Sequence, residues 1–172
     1  VPEAEIQVAM ARAIAPFDPS RDENPFSIQD ELQTIMNDLV GIIRTGDEMR
    51  AALEKIEALK ERISRVHAMG GRGYNPGWHL ALDLPKQVLV SESVAKAALA
   101  REESRGGHTR NDFPVMSPDW RQVNLICRIS DDQIDVTKQA VPTIPLELIT
   151  LFDAAELKKY MTIEELTSVG MA

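Results

Sequence analysis

The densest group of side chains able to do chemistry is Arg101-Glu102-Glu103-Ser104-Arg105-Gly106-Gly107-His108-Thr109-Arg110-Asn111-Asp112-Phe113-Pro114. Arginines, a histidine and carboxylates alternate in sign along it. Such a pattern suits forked ion pairs, which fix geometry rather than move protons. Arg101 and Arg105 are one helical turn apart and can project from one face. The cations Arg105, His108 and Arg110 suit the negative end of a helix dipole. The glycine pair lets backbone pass close to a neighbour. One reading is a solvated, salt-bridged helix end. The other is a surface on which another domain docks, carried by Arg101, Glu103, Arg105, His108, Arg110 and Asp112.

The remaining candidates are weaker. Gly70-Gly71-Arg72-Gly73 is not G-x-G-x-x-G and does not belong to G-x-x-x-x-G-K-[ST], so it reads as turn glycines. His67, His79 and His108 form no H-E-x-x-H, and Cys127 has no second cysteine with which to hold zinc. Cys127 reads as a small core residue of a strand rather than a nucleophile. No catalytic, cofactor-binding or metal-binding residue is assigned.

Charge and hydropathy exclude whole classes. A formal net charge of −8 repels phosphate backbones, and the positive residues form no basic run, which argues against nucleic acid. No apolar stretch approaches the roughly 20 residues of a membrane span. A single cysteine allows no intrachain disulfide and suits a reducing compartment. The 172 residues, 44% hydrophobic and 27% charged, suffice for a globular core without metal or disulfide. The sequence opens on Val1 with no basic leader, and is expected to be a processed or truncated piece.

The elements that must position the polar segment are mostly helices. Ile6, Met10, Ala13, Ile14 and Phe17 form one stripe, predicting a helix over 3–15. Residues 18–25 carry two prolines among polar residues and read as a linker. A second helix is predicted from an N-cap at Ser27, with Asp30 as its acidic partner, through to Arg44. Thr45 and Glu48 have capping-box spacing and open a third helix running to about Val66. Its seam is Met49, Leu53, Ile56, Leu59, Ile63 and Val66, and Glu54, Lys55, Glu57, Lys60, Glu61 and Arg62 lie off it as a solvated face. A four-glycine loop over 69–77 precedes a long helix from about Trp78 to Ser104, stopped by Gly106 at C′. Pro85 is expected to kink or split that helix. Residues 123–129 and 134–137 read as two strands around a Ser130–Gln133 turn. Residues 146–160 and 162–169 read as short helices, the latter with Thr162 and Glu165 as a capping box.

The fold class is therefore mainly α: an antiparallel three-helix bundle with an extra N-terminal helix, followed by a β-hairpin and a short helical tail. The division is residues 1–24 as N-terminal helix and linker, 25–114 as the bundle, and 115–172 as hairpin and C-terminal extension.

Read as a signature, Arg101-x-Glu103-Ser104-Arg105-Gly106-x-His108-x-Arg110-x-Asp112-x-Pro114 closely resembles the R-x-E-S-R-G-x-H-x-R-x-D-x-P segment of succinate dehydrogenase and fumarate reductase flavoprotein subunits. L-aspartate oxidase is a relative with a similar stretch. Val40-Gly41-Ile42-Ile43-Arg44-Thr45-Gly46 resembles the family's turn between the first two helices of its C-terminal domain. Tyr74-Asn75-Pro76-Gly77-Trp78 resembles the start of the third helix, and Asp119-Trp120-Arg121 the family's tryptophan before its closing strands. Leu84-Pro85-Lys86-Gln87 departs from the pattern.

The resemblance implies the C-terminal helical domain of such a subunit. The parent interconverts succinate and fumarate through FAD and passes electrons to an iron–sulfur subunit. The flavin and substrate residues of that family lie in its flavin-binding and capping domains, so none is carried over here. The isolated piece is expected to bind no FAD, to be inactive, and to dock on those two domains. The location implied is cytoplasmic, peripheral to the membrane through the parent complex. Self-association of the piece is expected, because removing its partners leaves a docking face open. The alternatives are a freestanding helical interaction module and the equivalent domain of an L-aspartate oxidase.

Overall fold

The computed structural model describes residues 2–131, 133–142 and 144–170. Two compact units divide between Gln139 and Ala140. The first unit carries α1 (Glu3–Ile14), a single 3-10 turn (Ala15–Phe17), α2 (Pro25–Leu39), β1 (Ile43–Arg44), α3 (Gly46–Ile63), α4 (Pro76–Ala100), β2 (Thr109–Arg110), α5 (Pro118–Arg121), β3 (Val123–Ser130) and all but the last residue of β4 (Gln133–Ala140). The second carries three short helices, α6 (Leu146–Ile149), α7 (Ala154–Leu157) and α8 (Ile163–Ser168). The chain is mainly α with one β-hairpin, β3–β4, as the sequence predicts. The predicted Ser130–Gln133 turn includes Asp132, which lies outside the described residues.

Helices α2, α3 and α4 pack against one another pairwise. Their buried faces join in one core built on Ile28, Leu32, Ile56, Leu59, Leu84 and Val88. The seam read on α3 is this face: Met49, Ile56, Leu59 and Val66 are buried, and Leu53 and Ile63 partly so. Apolar burial of this kind contributes about 25 cal/mol per Å².

Ion pairs set the directions of the helices. Arg62, near the end of α3, donates to both oxygens of Glu23 just before α2 (2.9 and 3.0 Å) and to Glu31 in its second turn (2.6 Å). The start of α2 therefore lies beside the end of α3, so the two run antiparallel. Lys60 pairs with Glu92 of α4 at 2.7 Å, and Lys96 closes on the same carboxylate at 2.8 Å. Lys60 and Arg62 are thus bridges between helices, not members of a solvated face. Lys60 also meets Glu57 on its own helix at 2.8 Å, but the bridging acids, Glu23, Glu31 and Glu92, sit on other elements and escape a strip reading.

Helix ends depart from expectation for local reasons. The cap of α2 is Asn24, whose Oδ1 accepts from Phe26 N–H at 2.9 Å, with Pro25 at the first helical position. This earlier pair outcompetes Ser27, since proline carries the helical φ and lacks the N–H that would go unpaired. At its other end α2 stops at Leu39, not Arg44. Gly41 then turns the chain so closely under the helix that an added Cβ would sit 2.7 Å from Asn37 O. Ile43 and Arg44 leave the helix pattern to pair in parallel with Thr109 and Arg110.

Helix α4 is capped by Asn75, whose Oδ1 accepts from Trp78 N–H at 3.0 Å while its Nδ2 donates to Met69 O and Gly71 O. It runs through Pro85 without a break. Leu80, Ala81, Leu84 and Val88, buried on either side of the proline, hold the turn against the lost hydrogen bond.

Other positions correct the sequence reading. Helix α1 forms, but it buries none of its residues, and Ile6, Met10 and Ile14 are exposed. Its C-terminal end is tied down: Trp78 Nε1 donates to Ala13 O at 2.7 Å, and Ala68 N–H to Pro16 O at 2.7 Å. Cys127 is exposed rather than core. The helix expected over 146–160 is two single turns. Asp153 separates them, its carboxylate accepting from Ala155 N–H at 3.2 Å and opening α7. The Thr162–Glu165 capping box forms, and Ile149, Leu157 and Leu166 make a small core of their own.

Candidate functional site

The six predicted residues meet beyond the end of α4. That helix ends at Ala100, and Arg101 is extended rather than helical. The expected stop at Gly106 is corrected: Gly106 has φ +59°, but it serves a tight turn in which Arg105 and His108 pair through both backbone groups. The helix ends early because a side chain takes over its last carbonyls. Arg110, 2% exposed, donates from Nη1 to Ala98 O (3.1 Å), Leu99 O (3.0 Å) and Arg101 O (3.1 Å).

The rest of that guanidinium meets Asp112 in a fork, Nε to Oδ1 and Nη2 to Oδ2, both at 2.7 Å. Asp112 Oδ2 also accepts at 2.9 Å from the N–H of Gly46, the first residue of α3. One ion pair therefore lays a cation at the negative end of α4 and an anion at the positive end of α3. The Arg110 hydrogen bond, aided by the Gly46 N–H, holds the Asp112 carboxyl well below the usual carboxylate range.

Glu103 is the second centre and is 0% exposed. Its oxygens accept from Arg101 Nη1 (2.9 Å), Arg105 Nε and Nη2 (3.0 Å each) and Ser117 N–H (2.9 Å). Burial alone would push this carboxyl up. The Arg105 bond, the Ser117 N–H and the two arginine charges overcome it and hold the carboxyl below its ordinary value. Arg101 also donates to Trp120 O at 3.0 Å and lies 5.4 Å over the Trp120 ring. Ser104 donates to Phe113 O and accepts from Arg110 N–H.

His108 places Nε2 3.1 Å from Arg101 O, so Nε2 carries the donating hydrogen. Burial lowers its pKa, and the Arg44, Arg110 and Arg101 charges lower it further, against the pull of that carbonyl. The imidazole is therefore held neutral. Arg44 arrives on β1, whose backbone receives Asn111 N–H at 3.0 Å. Burial and the neighbouring Arg110 lower its pKa.

This arrangement ties helix ends rather than transferring protons. Each carboxylate is ionised and saturated with donors, and arginine does not deprotonate. All six predicted residues are brought together, with Glu103 and Arg110 inside the cluster and the Gly106-Gly107 turn outside it. The sequence reading missed Gly46, Ser117 and Arg44 as members. The signal for two of them was present in Val40–Gly46, which could have been joined to the second segment. The Met69–Gly77 loop does not fit a dinucleotide cradle: it follows α3, not a strand, and the Asn75 side chain already accepts the Trp78 N–H in the first turn of α4. Among the described residues, no group of three His, Cys, Asp or Glu side chains is placed to hold a metal.

The site is thus a short parallel pair, β1–β2, fastened by an arginine fork where the end of α4 meets the start of α3. The chain belongs to the family described as fumarate reductase flavoprotein C-terminal, matching it over residues 29–156. It is 33% identical to a subunit of the CoM/CoB fumarate reductase of Methanothermobacter marburgensis, over 63% of this chain and 20% of that protein. It is 35% identical to the L-aspartate oxidase of Acinetobacter baylyi, over 60% of this chain and 19% of that protein. The Mycobacterium smegmatis Sdh1 structure in complex with UQ1 matches with TM-score 0.88 and 46% identity, over 96% of this chain and 29% of that chain. The chain thus spans about a fifth of the length of the curated relatives it matches. Among the described residues, no helix is long and apolar enough to cross a membrane.

Proposed function

We propose that this chain is the structural and docking part of a succinate dehydrogenase or fumarate reductase flavoprotein subunit. The observation that carries this is the family match over residues 29–156. In this reading the complete subunit interconverts succinate and fumarate through FAD held in its other domains. Electrons pass to an iron–sulfur subunit, at a membrane reached only through the complex. The chain seats itself on the flavin-binding and capping domains through the Arg101–Asp112 end of the bundle, where the Gly106-Gly107 turn faces outward. The fragment alone neither holds FAD nor turns over. Its exposed Ile6, Met10 and Ile14 make the isolated piece self-associate.

The test has two arms. Mixed with FAD and succinate, the purified chain leaves the flavin oxidised, whereas the subunit encoded by the full reading frame bleaches it. Bleaching by the chain alone would sink the reading. Sedimentation over a wide concentration range reports the second point, and a constant monomer mass would count against self-association. A soluble L-aspartate oxidase is the second reading, favoured by the Acinetobacter relative. It requires that the complete protein oxidise L-aspartate in preference to succinate.

A further inference from the structure

Arg44, Arg101, Arg105 and Arg110 crowd the end of the bundle, and the last three have a carboxylate. Arg110 holds Asp112, while Arg101 and Arg105 share Glu103. Arg44 has none among the described residues, and its Nε is a buried donor without an acceptor. Native structures rarely leave such a donor unpaired, since its lost hydration is not repaid. Among the described residues no carboxylate pairs with it. Both Asp112 oxygens are committed to Arg110, one of them also to Gly46 N–H. Glu48 turns its Oε2 to the N–H and hydroxyl of Thr45. The groups that bear on Arg44 and on His108 beside it are cationic, Arg110 and Arg101.

Arg44 is half-buried, and the chain along its outer edge is open. A Cβ built on Gly106 or Gly107 would meet nothing within 4 Å. Ile42 and Ile43, which lead into Arg44, are exposed and offer an apolar rim. The charge awaiting compensation is single. His108 is neutral and its Nε2–H is spent on Arg101 O. A lone guanidinium matches one carboxylate in a fork, whereas a phosphate dianion calls for several donors. The net charge of −8 also disfavours a polyanion.

We propose that Arg44 is the receptor for one carboxylate, the side chain of an aspartate or glutamate in the remainder of the flavoprotein subunit. That group closes on the Arg44–His108 edge beside the Gly106-Gly107 turn. This rests on the docking reading above and names its chemistry: at this end of the bundle Arg44 has no carboxylate among the described residues, and the rest of the subunit supplies the anion.

The test uses the chain with isotope-labelled arginine. The Arg44 Nε–H resonance is assigned by its loss in Arg44→Lys. Sodium acetate is the carboxylate probe, with sodium chloride and inorganic phosphate at equal ionic strength. The expected result is a saturable shift of Arg44 with acetate, about tenfold tighter than at exposed Arg12 and absent with chloride. A response no different from chloride, or tighter binding of phosphate than of acetate, overturns the proposal. A second measurement guards against a purely internal role. Arg44→Met should leave the chain as stable as before, or more so, because it removes a cation facing Arg110. A chain destabilised by that change overturns the proposal. Acetate binding at Arg44 in a chain whose complete protein turns over neither succinate nor fumarate keeps the carboxylate site and sinks the enzyme reading. A succinate-oxidising protein whose C-terminal chain ignores acetate sinks only the site.

Discussion

Arg110 shows how much one side chain can settle. Its guanidinium satisfies three carbonyls at the end of α4 and both oxygens of Asp112. Replacing it by methionine keeps the length but strands those carbonyls and leaves Asp112 without its cation. Arg110→Met should therefore cost about 3–5 kcal/mol, read as a lowered urea midpoint with unchanged slope. Titration has a definite sign here. Asp112 and Glu103 have depressed pKa values in the fold. The unfolded chain binds their protons first, so their stabilisation is full above about pH 4.3 and is lost as pH falls below it. His108 is also depressed. Its contribution is full above about pH 6.5 and declines as pH drops from there toward its folded pKa. His108→Gln should flatten the stability profile just below about pH 6.5 while leaving the more acid limb in place, as urea midpoints through that region would show.

At the scale of the element, α4 tolerates what its local sequence resists. Pro85 is exposed and interior to the helix. It removes one backbone hydrogen bond, yet the buried residues around it keep the helix continuous. Pro85→Ala should stabilise the chain by about 1–3 kcal/mol, measured as a raised urea midpoint. An unchanged midpoint would mean that the surrounding turn is already relaxed. Tyr74 is a parallel case in a loop: it takes φ +53° and is fully exposed. A left-handed conformation costs a tyrosine about 1–2 kcal/mol. Tyr74→Asn loses no packing and should raise the melting temperature, whereas the same exchange at a right-handed loop position should not.

For the whole molecule, the three-helix core and the N-terminal helix differ in what they bury. Leu84 is 0% exposed at the centre of the core, so Leu84→Ala should cost about 2–5 kcal/mol in urea unfolding. Ile6→Glu, on a helix that buries nothing, should change stability by less than about 0.5 kcal/mol. Equal effects from the two would mean that α1 is packed in solution. The contrast also fits a chain that spans only a fifth of its relatives' length.

Much was settled by sequence alone. The helix class, the α3 seam, both capping boxes, the hairpin and the family resemblance all depend on residue types at short spacings, where 3.6-residue and 2-residue periods act directly. The membership of the Arg101–Asp112 cluster was legible for the same reason. What tertiary structure decided were the features with distant causes. α2 stops short because Ile43 and Arg44 pair with Thr109 and Arg110, and α4 stops because Arg110 returns to cap it. Lys60 and Arg62 are bridges because their acids come from other elements. Arg44 has no carboxylate among the described residues because Asp112 turns both oxygens to Arg110. No local period encodes such outcomes, since a hydrogen bond between residues far apart in the chain gains its energy only after the loop between them has closed.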